Sequence, residues 1–266
     1  MDLRLLIIDP QNDFCKKEGT LFVPGADEDM IRLSKMVNRL KSKISDIHVT
    51  LDSHHYVDIA HPVFWVNSSG KHPQPLTTII SVDDVENGTW RTTNPQLQKR
   101  ALEYVKALRD NDRYSLVIWP YHCLIGSWGY GIHSELFEAL LNWEKDFCMV
   151  DYVTKGSNLY TEHYSAVQAD VPDPQDPGTM LNTKLIETLE EADIIALAGE
   201  ALNFCLANTI TDIANHFGED NIKKFVLLED ATSPVPGQDF EPLTQSFLKK
   251  MKGKGMQVST TDKFLT

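Results

Sequence analysis

Short apolar runs alternate along the chain with stretches of helical spacing, and this alternation constrains the fold more than any other sequence feature. The runs are rich in β-branched or aromatic residues, as buried strands are. They lie at residues 3–8, 47–51, 116–119, 147–153, 194–198 and 224–228. Apolar residues recur every three to four positions in segments 28–43, 96–109, 135–143, 183–192, 204–215 and 242–252. The alternation predicts a three-layer α/β/α fold with a six-stranded, mostly parallel, Rossmann-like sheet.

The segment at about 62–112 interrupts this alternation. It is polar and rich in proline, glycine and asparagine before its helical stretch begins. The 266 residues, 42% of them hydrophobic, are enough to bury one sizeable core. We therefore expect a single domain over 1–266, with 62–112 as an insertion between the second and third strands.

Charge and composition exclude several classes of protein. The formal net charge of -13 argues against a nucleic-acid or anionic membrane surface, because such surfaces need clustered lysine and arginine. The sequence contains neither an apolar run of membrane-spanning length nor a signal-peptide pattern at its start, and we expect a cytoplasmic protein. The cysteines form no close pair and are expected to be reduced thiols. They are Cys15, Cys123, Cys148 and Cys205.

Chemically active side chains follow the predicted strands. In a parallel sheet the carboxyl ends of the strands meet at one edge, where ligands bind. The side chains are Asp9 after the first strand, Asp52 and His54 after the second, His122 after the third, Lys155 after the fourth and Cys205 after the fifth.

Asp9, Lys155 and Cys205 together suggest nucleophilic catalysis. A thiol is a poor nucleophile until it loses its proton, which a carboxylate can accept. An ammonium group and a helix N-terminus stabilise the resulting thiolate. We therefore expect Cys205 to be the most reactive thiol of the chain.

Four segments resemble the isochorismatase-like cysteine hydrolases, and among them the nicotinamidases. IIDPQNDFC at 7–15 is similar to the opening strand of the family, and WPYHCLIG at 119–126 is similar to a segment typical of nicotinamidases. YVTKGSNLY at 152–160 is similar to the lysine segment, and GEALNFC at 199–205 to the turn before the nucleophile. These segments occur in the order found in the family.

The resemblance implies an enzyme that cleaves a small carboxamide and releases ammonia, most simply nicotinamide to nicotinate in NAD salvage. Asp9 would be the acid/base, Lys155 the charge-stabilising group and Cys205 the nucleophile that forms a thioester. The Glu200–Ala201 peptide would be cis, with the N–H groups of Ala201 and Cys205 forming an oxyanion hole. Family members commonly carry a small or apolar residue at position 200, so Glu200 is a departure.

The residues also suggest a metal site. Asp52 and His54 lie two positions apart, so they point to the same side of an extended segment. Such ligands suit a divalent metal, either Zn²⁺ or Fe²⁺ or Mn²⁺. The resemblance implies His122 as a third ligand and His61 as a fourth. Because the spacing from His54 to His61 is not the commonest one, His55 is an alternative to His54. We expect no organic cofactor.

Phe14 and Trp119 match family positions that flank the flat ring of the substrate. The resemblance thus implies a small-molecule amide as the partner. From the charge and the hydropathy we expect no nucleic-acid or membrane partner, and we expect a homo-oligomer. Three alternatives stay open: another small amide or ureide as substrate, a metal-free ether or ester hydrolase, and a non-catalytic binding protein on this fold.

Overall fold

The computed structural model describes residues 1–266, apart from the side chain of Glu219. Within this part of the chain, six strands form the central sheet. They are β1 (Leu3–Ile8), β2 (Ile44–Asp52), β3 (Asp151–Lys155), β4 (Ile194–Gly199), β5 (Phe225–Leu228) and β6 (Gln257–Ser259). Their order in the sheet is β6-β5-β4-β1-β2-β3, and the pairs are parallel. The predicted fold class is confirmed.

Helices cover both faces of this sheet. The longer ones are α1 (Ala26–Leu40), α2 (Gln98–Asp110), α3 (Ser134–Glu144), α4 (Thr183–Glu190), α5 (Ala207–His216) and α6 (Glu241–Gly253). Shorter helices span Asn12–Cys15 and Val82–Glu86, 3₁₀ turns span Pro62–Phe64, Pro95–Leu97, Pro177–Thr179 and Glu219–Lys224, and a π turn spans Leu202–Leu206. Connections between parallel strands are right-handed, so the direction in which the chain moves across the sheet decides which face the connecting helix covers. Helices on connections that lead toward the β3 edge therefore cover one face, and helices on connections that lead toward the β6 edge cover the other. Accordingly, α1 packs on α3, and α5 packs on α6.

Hydrophobic patterning explains these elements. Strand β1 is buried along its whole length, as expected for the centre of a parallel sheet covered on both faces. Helix α1 buries Met30, Leu33, Val37 and Leu40, which form one stripe at three-to-four spacing.

The predicted third strand at 116–119 is wrong as a member of the central sheet. Only Leu116–Val117 is extended, and it pairs antiparallel with Ile79–Ile80. The remaining place in the sheet belongs to β6 at the C-terminal end of the chain. The predicted strand at 147–153 begins later, at Asp151, and Phe147 is fully exposed.

The 62–112 segment contains a second two-stranded pairing, between Trp65–Val66 and Arg91–Thr92, followed by α2. Its status as an insertion in a single domain stays a prediction. In the described part of the chain, no helix combines the length and the apolar character needed to cross a membrane.

Strand register brings the predicted chemical groups to one edge. Ile8 pairs with Gly199, and Asp52 pairs with Lys155, so these strands end at the same level. The winding direction of the chain reverses between β1 and β4, which opens a crevice at their carboxyl ends. Asp9 lies directly after β1 at this crevice.

Candidate active site and metal centre

Asp9, Lys155 and Cys205 meet at the carboxyl edge of the sheet. The Nζ atom of Lys155 lies 2.9 Å from Oδ2 of Asp9 and 3.5 Å from Sγ of Cys205. All three side chains are buried. Cys205 occupies the π turn Leu202–Leu206, between β4 and α5. The structure thus brings together the three residues that the sequence nominates.

A threonine orients the Asp9 carboxyl group. Thr50 donates from Oγ1 to Oδ1 of Asp9 and accepts from the Asp9 N–H at 3.0 Å. This leaves Oδ2 of Asp9 facing Lys155. Burial raises the pKa of Asp9, and Lys155 opposes this rise. Asp9 is consequently a better proton acceptor than an ordinary surface aspartate.

Burial favours the neutral form of the Cys205 thiol. Burial raises its pKa well above the ordinary value, the Lys155 ammonium lowers it, and the Asp9 carboxylate raises it again. Nucleophilic attack therefore needs a base that accepts the thiol proton, and a carboxylate oxygen of Asp9 lies within 4.8 Å of the Cys205 sulfur.

Lys155 also contacts Asp52, one of the predicted metal ligands, because its Nζ lies 2.9 Å from Oδ1 of Asp52. Burial alone would lower the pKa of Lys155, but the carboxylates of Asp52 and Asp9 outweigh it and raise the pKa well above its usual value. The lysine therefore stays charged between two carboxylates.

Asp52, His54 and His122 each offer a ligand atom, and these atoms lie within 4.8 Å of one another. The Nε2 atoms of His54 and His122 are 3.1 and 3.3 Å from Oδ2 of Asp52. His61 borders the group, with its ring centroid 5.2 Å from that of His54. The alternative residue His55 is exposed at the surface.

Each histidine of this group is held through Nδ1. Nδ1 of His54 is 3.1 Å from a carboxylate oxygen of Asp58, and Nδ1 of His122 is 2.8 Å from the Pro120 carbonyl. Nδ1 of His61 is 3.2 Å from the Tyr56 carbonyl.

Metal-binding histidines typically donate from one ring nitrogen to such a partner and bind the metal through the other. Nε2 of His61 is buried and has no hydrogen-bond partner among the described residues. One carboxylate with imidazoles held in this way fits a divalent transition metal.

A small cavity lies beside the thiol. Phe14, Trp119, His122, Glu162, Tyr164 and Cys205 are among its lining residues. Nε1 of Trp119 donates to the Tyr164 hydroxyl at 2.9 Å, which fixes the indole plane. The two aromatic residues named from the sequence therefore face the same cavity as Cys205.

The turn before the nucleophile contains the Glu200–Ala201 peptide, which is cis. Gly199 precedes it with φ of 107°, and a Cβ there would lie 2.0 Å from the Ile8 carbonyl oxygen. Only glycine fits this close approach to β1. Ala201 lies at the wall of the cavity beside Cys205.

Sequence reasoning missed Thr50, Asp58, Glu162 and Tyr164. Thr50 lies on β2 next to the predicted strand end, and Asp58 is four residues after His54. A search for hydroxyl and carboxylate groups within a turn of the nominated residues would have found both of these.

No family model matches the chain. The nicotinamidase of Saccharomyces cerevisiae is 25% identical over 233 residues, which cover 87% of this chain and 88% of the yeast protein. The structure of yeast nicotinamidase Pnc1p has a TM-score of 0.64 at 20% identity, covering 96% of this chain and 98% of that one.

Pyrococcus horikoshii pyrazinamidase, solved in complex with zinc, has a TM-score of 0.57 at 18% identity. The match covers 98% of this chain and 99% of that one. The sequence match along most of both chains and the shared fold support assigning the chain to the isochorismatase-like cysteine hydrolases, as a nicotinamidase-like member.

Proposed function

We propose that the chain is an amidohydrolase that converts nicotinamide to nicotinate and ammonia through a thioester at Cys205. The observation that carries this proposal is the position of the Lys155 ammonium, 2.9 Å from Asp9 and 3.5 Å from Cys205. A relative that is named nicotinamidase, matched along most of both chains, supports the choice of substrate.

The first half of the reaction forms the thioester. Asp9 accepts the proton of the Cys205 thiol, and the sulfur attacks the amide carbonyl carbon. The N–H groups of Ala201 and Cys205 stabilise the negative charge that develops on the carbonyl oxygen. As the C–N bond breaks, Asp9 returns the proton to the leaving nitrogen, and ammonia departs.

The second half hydrolyses the thioester. Asp9, again a carboxylate, takes a proton from a water molecule that attacks the thioester carbonyl carbon. The C–S bond breaks, Asp9 returns its proton to the Cys205 sulfur, and the carboxylic acid product loses its proton to water and leaves as nicotinate. Lys155 remains cationic throughout and offsets the negative charge around the sulfur.

Aromatic side chains orient the substrate ring. Phe14 and Trp119 border the cavity, and stacking on a flat ring adds about 0.5–1.5 kcal/mol beyond area burial. The hydrogen bond from Trp119 to Tyr164 keeps the indole in place for this contact.

Asp52, His54 and His122, with His61 as the fourth ligand, would hold a divalent metal next to this cavity. A bound metal would supply a positive charge that fixes the pyridine nitrogen of the substrate. The zinc in the related pyrazinamidase structure supports Zn²⁺ as the ion. Asp58 and the Pro120 carbonyl orient the imidazole rings of His54 and His122 through their Nδ1 atoms.

Ammonia release from nicotinamide, pyrazinamide and small ureides tests the proposal. We expect nicotinamide to be hydrolysed, and we expect Cys205→Ala to abolish the activity without unfolding the chain. Cys148→Ala, which removes a half-buried thiol outside the cavity, is the matched control. Full activity of Cys205→Ala would contradict the thioester, and activity only on a ureide would contradict the substrate.

A homo-oligomeric state and a cytoplasmic location stay predictions.

A further inference from the structure

Glu200 places a carboxyl group inside the protein, directly after β4. The side chain is fully buried. Its Oε2 accepts a hydrogen bond from the Ser233 N–H at 3.1 Å. Its Oε1 is buried and meets no hydrogen-bond donor among the described residues. An ionised Glu200 would therefore leave a charged oxygen unsatisfied in the interior, which is costly.

A second carboxyl group adjoins Glu200. Asp29 of α1 accepts hydrogen bonds from the Ser233 hydroxyl and from the Arg32 guanidinium. Burial raises the pKa of Asp29, but these donors stabilise its ionised form and oppose the rise. Both carboxyl groups bond to Ser233, Glu200 to its N–H and Asp29 to its hydroxyl, so the two groups are neighbours in the interior. Two neighbouring buried carboxyl groups are not both ionised at little cost, because their charges repel each other strongly.

We propose that Glu200 is a positioning residue that acts as a neutral carboxylic acid: its Oε1–H donates to Asp29 and its Oε2 accepts from Ser233. Burial raises the pKa of Glu200 well above its ordinary value, and the Asp29 carboxylate adds to this rise. The other ionisable groups facing Glu200 are Arg32 on α1 and the buried thiol of Cys15.

The consequence of this arrangement is a fixed turn before the nucleophile. The Glu200 N–H donates to the Ile8 carbonyl at 2.7 Å, and the Leu202 N–H donates to the Ser233 carbonyl at 2.9 Å. The Glu200 side chain joins the same Ser233 to α1. The Ala201 N–H between these anchors is the proposed oxyanion donor, so this part of the inference rests on the proposed function.

Glu200→Gln tests the protonation state. Glutamine has the same shape, donates from its nitrogen to Asp29 and accepts from Ser233 with its oxygen. A carboxyl group whose pKa is raised on folding stabilises the protein below its unfolded pKa and loses that contribution as pH rises. We expect the melting temperature of Glu200→Gln to exceed that of the wild type by a margin that widens by about 5 °C or more between about pH 5 and pH 9.

Glu229→Gln, the same change at an exposed position, should show a constant difference from the wild type at each pH. A margin for Glu200→Gln that stays constant or shrinks with pH would show that Glu200 is ionised, and would overturn the proposal. This series needs no turnover. Failure to hydrolyse nicotinamide would therefore count against the proposed function alone.

Kinetics tests the positioning role. We expect Glu200→Gln to keep kcat within about twofold, whereas Glu200→Ala lowers kcat roughly ten- to hundredfold with little change in KM. If Glu200→Gln keeps the kcat that Glu200→Ala loses, the hydrogen bonds of this side chain position the turn. A general loss of packing would not explain that difference. If Glu200→Gln loses as much kcat as Glu200→Ala, the neutral-acid role is wrong. Should Glu200→Ala fail to fold, kcat of Glu200→Gln relative to the wild type decides the question.

Discussion

At the residue scale, Lys155 links the proposed nucleophile to the proposed metal ligands. Its ammonium lies 2.9 Å from both Asp9 and Asp52 and is buried with them. This buried cation opposes the rise that burial causes in the pKa of Asp9, and it helps His54 to hold the pKa of Asp52 well below its usual value. Asp9 is thus suited to proton transfer and Asp52 to metal binding. The two parts of the site therefore depend on one side chain.

Access to the cavity should decide which thiols react. Iodoacetamide should modify Cys205 and Cys148, because Cys15 and Cys123 are fully buried. Nicotinate should protect Cys205, which lines the cavity, and leave Cys148 unprotected. Mass spectrometry of labelled peptides, with and without nicotinate, measures this. Equal protection of both thiols, or labelling of Cys123 ahead of Cys205, would contradict the assignment of the nucleophile.

Metal content should depend on His61. We expect about one equivalent of divalent metal in the purified protein, and a loss of affinity of roughly ten- to hundredfold or more in His61→Ala. His72→Ala is the matched control, since its Nδ1 also lies near a backbone carbonyl, that of Trp65, but it lies outside the cluster. Elemental analysis after dialysis against a chelator measures the difference. Equal retention of metal by the two variants would remove His61 from the ligand set.

The site residues at the ends of strands could be predicted from the sequence, but the residues that hydrogen-bond to them could not. Asp9 and Lys155 follow from the sheet pattern, because the carboxyl ends of parallel strands share an edge. Thr50 and Tyr164 act through hydrogen bonds to other side chains, and such pairs depend on spacing in three dimensions. Glu200 was recognisable as unusual, but its partner Asp29 lies 171 residues earlier in the chain.

At the element scale, hydrogen-bond partners explain why 116–119 is not a central strand. The Trp119 N–H donates to the Ala60 carbonyl, and the Ile118 N–H donates to the Thr78 carbonyl. The segment therefore pairs with 60–80 instead of with β2. Hydrophobicity marked it as a strand but carries no information on the partner. The true sixth strand, Gln257–Ser259, is a polar, partly exposed edge strand without an apolar pattern.

The turn that carries Cys205 is held to the loop after β5 by an asparagine. Nδ2 of Asn203 donates to the Val235 carbonyl, and the Val235 N–H donates to Oδ1 of Asn203, both at 3.0 Å. Asn203→Ala leaves both backbone groups of Val235 without these partners, so we expect a loss of about 2–5 kcal/mol in the free energy of unfolding. Urea denaturation measures it. Asn215→Ala, at an exposed position on α5, should change stability by about 0.5 kcal/mol or less. Equal effects of the two variants would contradict the role of Asn203.

At the scale of the whole molecule, stability should depend on pH through Asp170. Burial raises the pKa of Asp170 to about 7, although Arg113 opposes the rise. Because its folded pKa exceeds its unfolded value of 3.8, Asp170 stabilises the fold at low pH and loses this contribution as pH rises toward 7.

Asp170→Asn should therefore become more stable relative to the wild type between about pH 4 and pH 7, by up to about 4 kcal/mol. Chemical denaturation at several pH values measures the change. Asp239→Asn, at an exposed position, should show no such trend. A constant difference for Asp170→Asn across this range would mean that Asp170 titrates as it does in the unfolded chain.

The order of strands in the sheet also determines when the central sheet can be completed during synthesis. β1 is the first strand made, yet it lies between β2 and β4, and β4 ends at Gly199. Its second edge therefore stays open until most of the chain has left the ribosome. Contacts so distant in sequence slow folding, and an unpaired hydrophobic edge favours aggregation. Nascent chains that stop before β4 should consequently need a chaperone to stay in solution.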